Sequence, residues 1–80
     1  MSQPNWVVLE ATPHSDYTLD LVFADGMRGV FDLRPLLADR YYAPLSQLPL
    51  FMTARAECGT VVWDEDRDIA PELLYENCRR

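Results

Sequence analysis

The chain has no lysine, one histidine, three glycines and two cysteines in its 80 residues, and each scarcity removes a class of function. Seven arginines stand against thirteen acidic residues, giving a net charge of −6. Nucleic-acid affinity rests largely on a positive surface that meets phosphates, so direct DNA or RNA binding is not expected. Three glycines leave no Gly-rich loop to cradle a phosphate, and neither a GxGxxG nor a P-loop pattern occurs. No HExxH or CxxC pair is present. Cys58 and Cys78 have no histidine cluster beside them, and a secreted scaffold would carry more cysteines and a signal peptide. The expectation is two reduced thiols in a cytoplasmic protein. No run approaches the ~18 apolar residues of a membrane helix, and residues 1–6 lack a basic region followed by an apolar stretch.

What the chain does contain is a hairpin that specifies its own register. Tyr17, Leu19, Leu21 and Phe23 alternate with Thr18, Asp20, Val22 and Ala24, the period of a strand with one buried face. Asp25-Gly26 marks the turn. A two-residue loop would pair Leu19 with Asp32 and Phe23 with Arg28. A three-residue loop, residues 24–26, pairs Phe23 with Met27, Leu21 with Gly29, Leu19 with Phe31 and Tyr17 with Leu33. The second register keeps the inner face apolar apart from one glycine, and it puts Gly26 where a type I turn with a bulge needs positive φ. A slip of one residue would turn a strand's side chains to the other face, so the buried face decides for the three-residue loop. Thr18, Asp20, Arg28 and Asp32 then share the outer face.

Eighty residues make one domain, taken as 1–80, with 1–5 a flexible lead and 77–80 a frayed end. So short a chain buries only ~60–65% of its unfolded surface, so apolar area shared with a partner or a second copy would help it. Around the hairpin, residues 6–12 read as a strand and 13–16 as a turn. Residues 34–38 form a helical turn with Pro35 early. Residues 39–44 are a loop, 50–53 a short helix, 55–59 a turn into a strand at 60–63, and 64–68 an acidic loop. Ile69 and Ala70 are a brief extended segment, and 71–76 a terminal helix with Pro71 and Glu72 in its first turn. The expected fold is α+β: one small antiparallel sheet of four or five short strands with two or three short helices.

Candidate chemistry is sparse. His14 sits in a turn, and adjacent His14, Ser15 and Asp16 cannot converge as a catalytic triad does. Cys58 precedes Gly59 at an expected hairpin turn and reads as a small core or turn cysteine rather than a nucleophile. Asp64, Asp66 and Asp68 have the spacing of a calcium loop, but Ile69 stands where that loop needs Gly and Tyr75 where it needs Glu. No catalytic residue, cofactor or metal ligand is expected. Tyr41 and Tyr42, directly after Arg40, are of the residue types that anchor interfaces. The alternative is that they cover a core edge, with Trp63 and Phe51 inside it.

Residues 21–26 (LVFADG), 30–37 (VFDLRPLL), 59–63 (GTVVW) and 68–75 (DIAPELLY) occur in an ordered set. This set resembles the bacterial family called Domain of Unknown Function 2442 over about residues 6–76. Ile69 stands where members usually have Leu. The resemblance implies a small α+β domain without an established enzyme activity and with no site residues to carry over. Some members precede a helix-turn-helix, none of which is expected here with the chain ending at Arg80. Many are encoded beside a second small protein, as toxin–antitoxin pairs are. Together with the acidic charge, this implies a non-catalytic interaction module, the antitoxin-like partner of a small basic protein. It would present Tyr41 and Tyr42 rimmed by Asp64, Asp66 and Asp68, with no nucleic acid or membrane as partner. A homodimer stays open. A ligand-sensing domain working with a separate DNA-binding unit is the alternative, and it requires a concave apolar pocket with a few polar groups. An enzyme using Cys58 or His14 comes third.

Overall fold

The computed structural model describes residues 5–64 and 67–79. Six strands form two three-stranded antiparallel sheets rather than one sheet of four or five. The first contains β1 (Val8–Pro13), β2 (Thr18–Phe23) and β3 (Arg28–Asp32) in that order. The second contains β4 (Arg55–Glu57), β5 (Thr60–Trp63) and β6 (Arg67–Ile69). Between the sheets the chain makes two 3-10 turns, Arg34–Ala38 and Ala43–Ser46, and the short helix α1 (Leu48–Phe51). Helix α2 (Pro71–Asn77) closes the fold. Each of these four helical pieces has proline in its first turn, where a missing N–H costs nothing and φ is already set.

The three-residue register of the first hairpin is borne out. Leu21 faces Gly29 and Leu19 faces Phe31, the Phe23 N–H donates to Met27 O at 2.9 Å, and Gly26 has φ 86°. The single-sheet expectation fails on two short strands that the apolar pattern does not reveal. Strand β4 carries only Ala56 toward the interior between exposed Arg55 and Glu57, and β6 buries only Ile69. Pairing, not burial, makes them strands. Glu57 faces Thr60 across the two-residue loop Cys58-Gly59, both at positive φ (51° and 80°), the requirement of a type I′ hairpin turn.

Residues 7–8 stitch the sheets together. The Ala24 N–H in the first hairpin loop donates to Val7 O at 2.8 Å, and the Val8 N–H donates to Gly59 O in the second loop at 2.9 Å. A β-bulge between Val8 and Glu10 follows this seam. The core is apolar and drawn from every layer: Leu19, Leu21 and Phe23 from β2, Val61 and Trp63 from β5, Leu45 and Phe51 from the connecting segment, and Leu74 from α2. Trp63 lies 6.4 Å from Phe51 between ring centroids, and its Nε1–H donates to Phe51 O at 3.1 Å, so the one polar atom of this buried ring is satisfied.

The chain's last described residues return to the first sheet. Val30 and Arg79 exchange both backbone hydrogen bonds, at 2.8 and 2.7 Å, along the open edge of β3. Cys78 packs over Gly29 there. A methyl group on Gly29 would lie 2.7 Å from Cys78 Sγ and 3.0 Å from Arg79 O, so this close approach needs the absent side chain.

Candidate functional site

The loop that follows the first 3-10 turn is shaped by Asp39. Its Oδ1 accepts the Tyr41 N–H at 2.8 Å, and its backbone carbonyl accepts from Tyr42 and Ala43. This Asx arrangement leaves Tyr41 45% exposed, one of the few large hydrophobic side chains turned to solvent. The ring is held on several sides. Its hydroxyl donates to Asp68 Oδ1 at 3.1 Å and accepts the Asp68 N–H at 3.2 Å. The Arg67 guanidinium lies over the ring, 5.2 Å from its centroid, and donates to the Tyr41 carbonyl. Tyr42 meets Tyr41 edge to face at 4.9 Å. Burial pushes the Tyr42 phenol above its usual pKa, helped by Tyr41 and the nearby carboxylates of Asp39 and Asp68.

Of the residues expected from sequence, Tyr41, Tyr42 and Asp68 are thus brought together. Asp64 is directed elsewhere: its carboxylate receives Arg55 Nη1 at 3.0 Å, and its N–H donates to Thr53 Oγ1. Asp66 lies outside the described residues. The sequence reading missed Arg67. A single cation in an acidic run was the available signal, but nothing local tells that it meets an aromatic ring 26 residues away.

The catalytic candidates remain scattered. His14 Nε2 pairs with Asp20 Oδ2 at 2.9 Å on the solvent side of the first sheet, and no serine or cysteine hydrogen-bonds it among the described residues. Both cysteines are free thiols, Cys58 exposed and Cys78 buried. Among the described residues no three His, Cys, Asp or Glu side chains gather as metal ligands would. None of their helices is long and apolar enough to cross a membrane.

A concavity lies elsewhere, between β3, the first 3-10 turn and α2. It encloses about 340 Å³, with Phe31, Leu36 and Leu73 as apolar walls and Asp32, Asn77 and Arg79 as polar groups. Asp32 is engaged by Arg34, which donates Nη2–H at 2.8 Å, Nε–H at 3.0 Å and its backbone N–H at 3.0 Å. These bonds, with a contribution from the Arg79 charge, hold the Asp32 carboxyl below the usual aspartate range. Arg79 also borders a shallower groove of about 290 Å³ on the outer face of the first sheet, beside Asp20, Val22, Arg28 and Val30.

Comparison with known proteins returns one family model, described as a protein of unknown function (DUF2442), which matches residues 8–80. No curated protein and no solved structure matches the chain.

Proposed function

We propose that this chain, which belongs to the DUF2442 family, is a non-catalytic protein-binding module of the cytoplasm, the acidic antitoxin-like partner of a small basic protein. The observation that carries this reading is the Tyr41 surface. An exposed aromatic ring is braced by Tyr42 and Arg67 in one orientation, with the carboxylates of Asp39 and Asp68 beside it. Aromatic anchors that are rigid before binding lose little rotamer freedom on docking, and tyrosine and arginine are the residue types that dominate interface energetics. A net charge of −6 favours encounter with a basic partner and disfavours self-association.

Affinity recovery of the tagged chain at native expression, after nuclease treatment, tests the proposal. The expected result is one small basic protein in stoichiometric amount, released by high salt. Tyr41→Ala should lose that protein, while Tyr41→Phe, which keeps the ring and gives up only the Asp68 bonds, should retain it. Recovery of the chain alone, with its fold intact by circular dichroism, overturns the reading.

The cavity beside Arg79 supports a second reading, a ligand-sensing domain acting with a separate DNA-binding unit. Its volume falls at the small end of the ~300–1,000 Å³ of small-molecule sites, and its make-up, apolar walls with a few polar groups, is of their kind.

A further inference from the structure

We infer that the cavity between β3, the first 3-10 turn and α2 takes a small carboxylate with an apolar body, its charge met by the Arg79 guanidinium. The inference rests on the ligand-sensing reading of the same cavity and adds the ligand's chemistry. The sign of the charge follows from the two ionic residues that line the cavity, Asp32 and Arg79. Asp32 already accepts four hydrogen bonds from Arg34, one from its backbone N–H and three from its guanidinium, whose Nε–H is shared between both carboxylate oxygens. That pair is neutral as a unit, and its carboxylate has little acceptor capacity left for an incoming ammonium group. Arg79 lines the same cavity and makes no ion pair among the described residues. Of the ionic side chains that line the cavity, Asp32 is thus taken up by Arg34, and Arg79 is the cation left to meet a ligand.

Position supports the same assignment. The Arg79 backbone is fixed by two hydrogen bonds to Val30, which anchors the base of its side chain at the cavity rim. A guanidinium is suited to carboxylates because it can present two parallel N–H donors. Asn77, on the same wall, donates one Nδ2 hydrogen to Leu73 O at 2.9 Å, and a carboxamide carries a second. Phe31, Leu36 and Leu73 form an apolar floor that would accept a ring or branched aliphatic group.

The test is an amide-resolved NMR titration of the whole chain with three probes of one shape: phenylacetate, phenylacetamide and phenethylamine. The expected result is saturable shifts at Phe31, Leu73, Asn77 and Arg79 with phenylacetate, and weaker binding of the other two. Arg79→Gln should weaken phenylacetate about tenfold, the loss of roughly one charge-assisted hydrogen bond, while leaving phenylacetamide binding unchanged. If the amine or the amide binds in the cavity as well as the acid, or if Arg79→Gln leaves phenylacetate affinity unaltered, the carboxylate assignment falls and the ligand-sensing reading survives. If none of the three gives a saturable shift there, both fall.

Discussion

Between β2 and β3 the chain turns on three residues, with Gly26 at φ 86° and Asp25 Oδ1 accepting the Met27 N–H at 2.9 Å. Between β4 and β5 it turns on two, with Cys58 at φ 51° and Gly59 at φ 80°. In the first loop the left-handed position falls to a residue without Cβ, and an Asp side chain supports the turn from within. The Asp25 carboxylate also accepts from the Tyr75 hydroxyl at 2.7 Å, so the loop is tied to α2. In the second loop a residue with a Cβ occupies the left-handed region, at a cost of roughly 1–2 kcal/mol. What offsets that cost lies outside the loop, in the Val8 hydrogen bond to Gly59 and the pairing of β5 with β6. The first hairpin is thus specified by its own residues, whereas the second is held by its neighbours.

The largest expected effect comes from separating the first hairpin from the tail that covers it. Gly29→Ala places a methyl group 2.7 Å from Cys78 Sγ and 3.0 Å from the Arg79 carbonyl, so the tail must move. We expect a loss of about 2–3 kcal/mol, typical of overpacking, and a rise in Cys78 reactivity toward a thiol reagent as the tail lifts. Pairing the change with Cys78→Ala should recover part of the stability, because the shortest contact disappears. An unchanged melting temperature and a still-protected Cys78 would show that the tail is not packed on β3.

The contrast between the hairpins also governs how much of the molecule was legible in its sequence. Leu19, Leu21 and Phe23 alternate with polar or smaller residues beside an Asp-Gly turn, and period and turn chemistry point to one register. The split into two sheets was hidden because Arg55–Glu57 and Arg67–Ile69 each bury a single apolar side chain or less. Three-residue strands of this kind carry no periodic signal, and their pairing partners supply what their sequences lack. The same limit applies to the surface site. Tyr41 and Tyr42 were visible as adjacent aromatics, but the Asp68 contact spans 27 residues and the Arg67 stack depends on β6 existing. The cavity was not legible at all, because Asp32, Leu36, Leu73 and Arg79 converge only once the tail folds back on β3.

Substitutions in the loops themselves should move stability in opposite directions. Around Gly26 there is open space, so Gly26→Ala meets no clash and its cost is conformational, about 1–2 kcal/mol. Cys58→Asn gives the second loop the Asn-Gly sequence that type I′ turns favour and should stabilise by up to about 1 kcal/mol. Chemical denaturation midpoints of the two variants, measured side by side, check both signs. A destabilising Cys58→Asn would mean that the thiol contributes contacts worth more than the relief of the left-handed strain.

The smallest expected effect concerns the ionic ends of the two hairpins, and it separates them by pH. Arg55 at β4 bridges Glu57 and Asp64, all three side chains half exposed, and such surface pairs are worth ~0–1 kcal/mol. Asp32 at the end of β3 is more enclosed, and its carboxyl sits below the ordinary value of 3.8, first because of the Arg34 hydrogen bonds and then through the Arg34 and Arg79 charges. Well above pH 3.8 the group is ionised in both folded and unfolded chains, and its contribution is fully present. As the pH falls through 3.8 the unfolded chain takes up a proton that native Asp32 still refuses, so stability declines until the native carboxyl also titrates. Asp32→Asn should therefore lower the melting temperature near neutrality and make its fall between about pH 5 and pH 2 shallower than in the wild type. Arg34→Gln should flatten the same interval, since it removes the groups that depress Asp32, and Arg55→Gln should change it less. An Asp32→Asn profile parallel to the wild type over that interval would place the acid sensitivity of this protein somewhere other than the end of its first hairpin.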